Sequence, residues 1–479
     1  MESNSKINSK IAYTTARVPV KNPALTMVSM LLGAFVGMLS ETSLNIALPK
    51  LVIAFHTNTS TIQWLVTGYM LVIGIILPFS SLLSKWFTTR QIIIFGLGDF
   101  IIGSIISAIA GNLLILITGR MIQGVATGLI LPIMFTVAMQ IFPPQKLGVA
   151  MGICALVIMF APAIGPTITG LVLAKLSWHW IFLLFVPFLV IALIFAITSL
   201  ENINQITRPK IDFISLIESI IGFAGLVTGI SLVSDFGWTS PIVLSSLTIS
   251  VIVLIFYVHR QLSSKNPILN LKVFKIPAFR VGSLLVMIDF AIILSAMYLL
   301  PQYIQNGLLL PVALTGIIML PGGIMNALVS AFAGRLYDNS GAKVPARIGF
   351  GIAIVGCVML FFAKTNSSVT YIITAHIILM IGCPLAMSPS QTYALNSLNR
   401  KQSADGSTIM NTMQQIIGAV ATALSTSFLA LGESKYTGTN KAESFTNGIH
   451  FGLYFVLFLA LLGLVVSLFL KKYSSLERD

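Results

Sequence analysis

The chain has 479 residues, of which 56% are hydrophobic and only 9% charged, and its mean hydropathy is +0.95. An ordinary soluble domain has about 25% charged residues, so this composition excludes a soluble globular protein. The apolar residues form long continuous runs instead of alternating along short strands, which also excludes a membrane β-barrel.

Apolar runs long enough to cross a bilayer recur along the whole chain, with short polar connections between them. A membrane helix needs about 20 such residues, and we therefore predict an all-α membrane protein with fourteen transmembrane helices. The first run is too long for a cleaved signal peptide and is predicted to stay in the protein as a helix. The predicted spans are 24–48, 62–83, 91–111, 114–141, 149–174, 179–200, 213–233, 241–259, 281–303, 312–333, 346–363, 370–395, 405–430 and 449–470.

The basic residues that give the net charge of +14 are distributed unevenly between the two sides of the predicted topology. If the amino terminus is inside, most of the 28 lysines and arginines lie in cytoplasmic segments. The outer segments carry only Lys50, Lys175, Lys364, Lys435 and Lys441. The positive-inside rule then places both termini in the cytoplasm. The basic charge therefore sets orientation and attracts anionic membrane lipid, and it does not indicate nucleic-acid binding.

A weak internal repeat divides the chain into two halves. The basic segment 81–90 follows span 2, and the basic segment 334–343 follows span 10. We therefore predict two six-helix bundles with two inserted helices between them. The predicted boundaries are 1–23 for a cytoplasmic tail, 24–200 for the first bundle, 201–280 for a linker with the inserted helices, 281–470 for the second bundle and 471–479 for a second tail.

The segment 334–343 resembles the G-x-L-x-D-x-x-G-x-K/R loop of the major facilitator superfamily. Further matches follow in family order: Leu44–Pro49 closes span 1, Gly119–Gly124 lies in span 4, and Ala161–Gly170 in span 5 resembles the Gly-Pro motif of drug–proton antiporters. With fourteen spans, the chain is similar to the fourteen-span drug–proton antiporters of the Gram-positive lincomycin-resistance type. The resemblance implies gating or structural roles for these motif residues: Arg90, Gly334, Arg335, Asp338, Gly341, Lys343, Pro162, Gly165, Pro166 and Gly170.

Five positions depart from the family pattern, among them His179 and Phe185 of span 6, which replace the usual Arg and Asn. The first loop has Lys85 and Thr88 where the family usually has Asp and Gly, which weakens the prediction of a gating role for this loop. In span 1 the common acidic position is Ser40, and Glu41 comes one residue later.

Ionisable residues inside the predicted spans are candidate functional sites, because each costs about 2.5–3.5 kcal/mol at the bilayer centre. Glu41 and Arg120 lie roughly 12 Å and 9 Å from the outer ends of spans 1 and 4. We expect the two side chains to be close, directly or through water. Their pair either locks two helices together or exchanges protons, with Glu41 released from Arg120 when protonated. Asp289, near the middle of span 9, is a further proton-coupling candidate or a helix–helix hydrogen-bonding group.

Other polar residues in the spans have ordinary structural alternatives. Asp99 is expected to bond a neighbouring helix, and Glu218 to reach the cytoplasmic face. Several side chains could line a substrate cavity or join helices: Gln123, Asn326, His376, Gln391, Asn411 and Gln414.

The resemblance implies a proton-coupled multidrug efflux antiporter of the bacterial cytoplasmic membrane. It would export small amphipathic compounds by alternating access and would usually be a monomer. The chain has no Gly-x-x-x-x-Gly-Lys-Ser/Thr run, no metal-type cysteine spacing and no nucleophile–base pair, so we predict no cofactor, no metal and no enzymatic activity. The alternatives are an exporter or symporter of one dedicated substrate, such as a metabolite, bile acid or siderophore, and a non-transporting membrane sensor.

Overall fold

The computed structural model describes residues 20–57, 59–143, 146–204, 206–208, 212–264 and 267–471. Within these residues the chain is helical and contains no β-strand. Fourteen helical spans in this part of the chain are long and apolar enough to cross a membrane, as predicted from hydropathy.

We number the helices α1–α14 to match the fourteen spans. The sixth span is interrupted at Leu184, and its two parts are α6a and α6b. The bounds are Pro23–Ala54, Thr59–Trp86, Thr89–Ala108, Leu113–Ile141, Leu147–Lys175, His179–Leu183 with Phe185–Ser199, Phe213–Phe236, Pro241–Ser263, Pro277–Gln302, Val312–Ser340, Lys343–Phe361, Val369–Asn396, Arg400–Ser434 and Lys441–Ser467. A 3₁₀ turn, Leu271–Lys275, precedes α9.

Many helices extend beyond the predicted apolar runs because polar residues cap them outside the hydrocarbon core. Thr88 and Gln91 form a reciprocal capping box at the start of α3, and Asn399 and Gln402 form another at the start of α13. Such caps satisfy backbone N–H groups that have no partner within the helix. Gly341 ends α10 with a φ of 71°, a conformation that glycine adopts without steric cost.

Helices of the same half pack together in both halves of the chain, including helices that are far apart in chain order. Among the first six spans, α1 packs against α2, α4, α5 and α6b, and α3 packs against α4. Among the last six, α9 packs against α12, α13 and α14, and α11 packs against α12 and α14. The fold class predicted from the sequence, an all-α membrane protein with two groups of six helices and an inserted pair, is confirmed.

Two seams join the first six spans to the last six. In the first seam, α2 and α4 pack against α13; in the second, α5 packs against α10 and α12. The inserted pair, α7 and α8, packs together, and α7 also touches α2 and α13 beside the first seam.

Candidate functional site

Arg120, on α4, is fully buried and uses its guanidinium to join three helices. Its Nη1 donates to Ser40 Oγ at 2.5 Å and to Gln123 Oε1 at 2.8 Å. Its Nε donates to the carbonyl of Leu65 at 3.1 Å, and its Nη2 to the carbonyl of Ser40 at 3.3 Å. The guanidinium is therefore bound by neutral oxygens from α1, α2 and α4.

The ring of Tyr69 completes this environment. Its centroid lies 4.0 Å from Cζ of Arg120, a cation–π contact that is strong when water is excluded. The Tyr69 hydroxyl lies 2.9 Å from the carbonyl of Gly37, to which it donates, and 2.7 Å from Thr127 Oγ1. Gln123 in turn donates to Ser104 Oγ on α3 at 2.9 Å. We call Arg120, Ser40, Gln123 and Tyr69 the arginine cluster.

Glu41 is buried next to this cluster but makes no ion pair with Arg120 within 4.0 Å. The direct form of the expected contact is therefore wrong. Successive helix residues point about 100° apart, so only one of residues 40 and 41 can face α4, and Ser40 takes that position. The Oε2 atom of Glu41 is buried without a hydrogen-bond partner among the described residues.

Asp289, on α9, is fully buried, and neither of its carboxyl oxygens has a hydrogen-bond partner of good geometry in the described structure. The thiol of Cys383 on α12, itself fully buried, lies beside this carboxyl group. A charged carboxylate here would lack the hydrogen bonds that compensate for loss of water.

The other two acidic candidates occupy less central places. Asp99 is partly buried against the backbone of Ala126, and its Oδ2 has no partner in the described part of the chain. Glu218 lines an open cavity of about 420 Å³ at the cytoplasmic ends of α7 and α8, where Arg260 and Asp212 form a bidentate pair. The hydrogen bonds from Arg260 hold the pKa of Asp212 well below its usual range.

The residues expected to line a substrate cavity do not form one group. Gln123 belongs to the arginine cluster. Asn326, on α10, donates to Met380 Sδ on α12 at 3.4 Å, and its Oδ1 has no partner within the described ranges. His376 packs over Gly322 of α10, and its Nδ1 is likewise unpartnered there.

The remaining three lie near the first seam or within α12. Gln391 is buried in α12, and its Nε2 has no partner among the residues described. Asn411 donates to the carbonyl of Ser407 within α13 at 2.8 Å, and Gln414 is buried one turn further on.

The segment 334–343 forms the cytoplasmic end of the second seam. Asp338 accepts hydrogen bonds from the backbone N–H groups of Gly148 at 2.8 Å and Val149 at 3.1 Å. These groups belong to the first turn of α5, whose own N-cap residue, Lys146, provides no side-chain bond. A carboxylate from α10 thus caps α5 and meets its positive dipole end.

Glycine allows this seam to close. A Cβ on Gly334 would collide with the backbone of Gly148, so the two helices touch along their main chains. Arg335 is exposed, and Lys343 is the first residue of α11. Gly341 ends α10, as described above.

Arg90 does not reach the second half of the chain. Its Nη2 donates to the carbonyl of Ile197 at the end of α6b, and its N–H donates to Asn202 Oδ1 at 3.4 Å. Arg90 therefore fastens the start of α3 to the segment that follows α6b.

The Pro and Gly residues of span 5 lie within one unbroken helix. Pro162 and Gly165 fall in its middle, and a Cβ on Gly165 would meet Thr42 Oγ1 of α1. Gly170 has open space around it. Pro166 is part of the helix, and its side chain is not among those described.

Sequence reasoning missed an ion pair across the first seam. Lys85 of α2 lies 3.3 Å from Asp405 of α13, and the hydroxyl of Ser81 donates to the same carboxylate. Asp405 is the first residue of the predicted span 405–430, where a polar end is ordinary and gives no sign of a partner. The loop that departs from the family pattern at Lys85 thus contacts the second half through that same residue.

In the described part of the chain, no three His, Cys, Asp or Glu residues are placed to hold a metal ion.

Comparisons with known proteins agree with this architecture. The family model described as Major Facilitator Superfamily matches residues 30–422. The chain is 45% identical over 475 residues to the lincomycin resistance protein LmrB of Bacillus subtilis (strain 168), covering 96% of this chain and 99% of that one. It is 43% identical over 457 residues to LmrB of Listeria monocytogenes, covering 94% and 97%.

Solved structures share the fold at low sequence identity. The human organic anion transporter MFSD10 (TETRAN) is 12% identical with a TM-score of 0.65, covering 91% of this chain and 99% of that one. The proton:xylose symporter XylE is 14% identical with a TM-score of 0.63, covering 93% and 94%. The family match, the long relatives and the helical architecture together show that this chain belongs to the major facilitator superfamily.

Proposed function

We propose that the protein exports small amphipathic, drug-like compounds across the bacterial cytoplasmic membrane in exchange for protons. The observation that carries this proposal is the 45% identity, over nearly the full length of both chains, to a protein named for lincomycin resistance. The proposed unit is a monomer in membrane lipid. Its bundles comprise 24–200 and 281–470, the linker 201–280 carries the inserted helices, and the tails are 1–23 and 471–479.

The hydrogen bonds between the two halves support export by alternating access. The pairs near the cytoplasmic ends include Lys85 with Asp405 in the first seam and Gly148 with Asp338 in the second. A transporter closed on this side presents its centre to the outside, and rocking of the halves would expose it to the cytoplasm.

Two buried carboxyl groups are suited to proton coupling. Glu41 and Asp289 lie on α1 and α9, the first helices of the two bundles, and both carry oxygens without hydrogen-bond partners in the described structure. Uptake of a proton removes the charge and so the cost of keeping it away from water. Arg120 keeps its charge and its neutral partners, and we assign it the positioning of α1 beside Glu41.

The test is uptake of lincomycin or a cationic dye into everted vesicles that contain the protein. After the vesicle interior is acidified, we expect accumulation that collapses when a protonophore is added. Glu41→Gln should abolish the accumulation while the protein remains in the membrane, and Asp99→Asn serves as the matched control. Undiminished accumulation by the Glu41→Gln variant would refute its role in coupling.

The alternatives predict other results in the same vesicles. A dedicated transporter would move one compound of a broad panel and leave the others untouched. A symporter would move its substrate with protons, out of the acidified vesicles. A sensor would bind without accumulation.

A further inference from the structure

The inserted helices α7 and α8 form one unit with the linker that follows them. Gln261, on α8, donates to Ser215 Oγ of α7 at 2.8 Å and accepts the backbone N–H of Ile268 at 2.7 Å. Nearby, Arg260 holds Asp212 at the start of α7 through bonds of 2.7 and 2.8 Å. Both residues of α8 therefore fix α7, and Gln261 also fixes the linker.

This unit contacts both sides of the first seam. On the α2 side, α7 packs against α2, and in the segment before α7 the N–H groups of Thr207 and Arg208 donate to the carbonyl of Lys85 at 2.9 and 3.1 Å. On the α13 side, the indole N–H of Trp238 donates to Ser427 Oγ. Between these points, α7 packs against both α2 and α13. The unit therefore bridges α2 and α13 across the first seam.

Contacts from α2 reach the side chain of Asp405, and contacts from the unit reach its helix, α13. Its carboxylate is 3% exposed and meets Ser81 and Lys85 of α2. The 3₁₀ turn Leu271–Lys275 of the linker packs against α13, the helix that carries Asp405, and against α8. In the described structure, Lys85 is the cationic group paired with this carboxylate.

Separation of α2 from α13 would break the ion pair of this carboxylate with Lys85 and its hydrogen bond from Ser81. Both interactions favour the arrangement in which the two helices touch. The contacts therefore stabilise the arrangement in which the first seam is shut at the cytoplasmic side.

We propose that α7, α8 and their linker are a clip that holds the first seam shut, with Asp405 as the positioning residue that links α13, which the clip contacts, to α2. The proposal rests on the proposed transport function, since opening of this seam is the step that admits a compound from the cytoplasm. In this proposal the inserted helices α7 and α8 set how often the first seam opens.

The test measures opening directly with a reporter cysteine. Thr136 is buried in the first seam, 2.5 Å from Ser407 Oγ of α13, and is suited to Thr136→Cys. The background replaces the three native cysteines, Cys154, Cys357 and Cys383, with alanine. Everted vesicles are treated with a membrane-impermeant maleimide, and the rate of labelling reports exposure of the seam to the cytoplasmic side.

Two changes should speed labelling. Asp405→Asn keeps the shape of the side chain and removes its charge, and Gln261→Leu frees the linker from α8. We expect each to raise the rate about fivefold, the shift that loss of one ordinary ion pair or hydrogen bond produces in an equilibrium. The exchanged pair Lys85→Asp with Asp405→Lys should return the rate toward that of the parent.

Matched controls separate the clip from general loosening. Asp99→Asn and Asn306→Leu remove a carboxylate and an amide away from the seam, and both should leave the labelling rate unchanged. Each variant must reach the membrane at parental abundance and elute as a single species in detergent. A parental labelling rate in either Asp405→Asn or Gln261→Leu would overturn the proposal. Because labelling needs no drug and no proton gradient, failure of the transport assays would leave this result readable.

Discussion

Two buried ionisable groups, one in each half of the chain, have opposite surroundings. In the first half, Arg120 donates to Ser40, Leu65 and Gln123 and lies over the ring of Tyr69. In the second half, Asp289 is equally buried, yet its carboxyl oxygens have no partner with hydrogen-bond geometry among the described residues. The arginine site is complete without any ligand, and the aspartate site is not.

This difference predicts different roles for Arg120 and Asp289. A fully satisfied buried network rigidifies the helices that build it, whereas a buried polar group without partners carries a cost that gain of a proton or a cationic ligand relieves. We therefore expect changes at Arg120 to act on stability and changes at Asp289 to act on transport.

Asp289→Asn tests the role of the unpartnered carboxyl group and should have the largest effect on transport. The amide has the shape of the carboxyl group but cannot gain or lose a proton in the working range. Proton-driven accumulation of lincomycin in everted vesicles should fall to the level of vesicles that lack the protein, with the melting temperature unchanged. Full transport activity would show that Asp289 is only a packing residue.

Arg120→Lys tests the stabilising role of the arginine cluster. An ammonium group cannot reproduce the planar fork that reaches α1, α2 and α4 together. Because the variant cannot form several of the hydrogen bonds or the same cation–π interaction with Tyr69, we expect the free energy of unfolding to fall by about 2–4 kcal/mol. Thermal unfolding in detergent measures it. A stable variant without transport activity would reverse our assignment.

How far the sequence predicts this structure depends on the kind of contact. Helix positions follow from hydropathy alone, because each span must satisfy its own backbone in lipid. The capping of α5 by Asp338 is a contact between residues 190 positions apart, and nothing local in the sequence specifies it. The burial of Arg120 in a span indicates that it needs partners, but the acceptors are Ser40, a backbone carbonyl and an amide. Hydropathy and charge cannot distinguish residue 40 from 41 as the one that faces α4.

Ser40→Ala should have a smaller effect than Arg120→Lys. It removes one hydrogen-bond acceptor of the guanidinium but keeps the carbonyl of the same residue, 3.3 Å from Nη2. Loss of one hydrogen bond to a charged group costs about 1.5–3 kcal/mol, and the retained carbonyl should hold the loss near the lower figure. A chemical denaturation series on the purified protein measures it. A loss as large as that of Arg120→Lys would mean that Ser40 alone carries the cluster.

Ser104→Ala has the smallest expected effect, because it removes only the outermost bond of the arginine cluster, from Gln123 Nε2. Hydrogen bonds between membrane helices average about 0.6 kcal/mol, and we expect a loss of that size with transport unchanged. If Ser104→Ala instead impaired proton coupling, the cluster would be part of the proton path, since the only change would be at a neutral hydroxyl on α3 that Arg120 does not touch. The contrast between a purely structural site in the first half and a proton-binding site in the second would then be wrong.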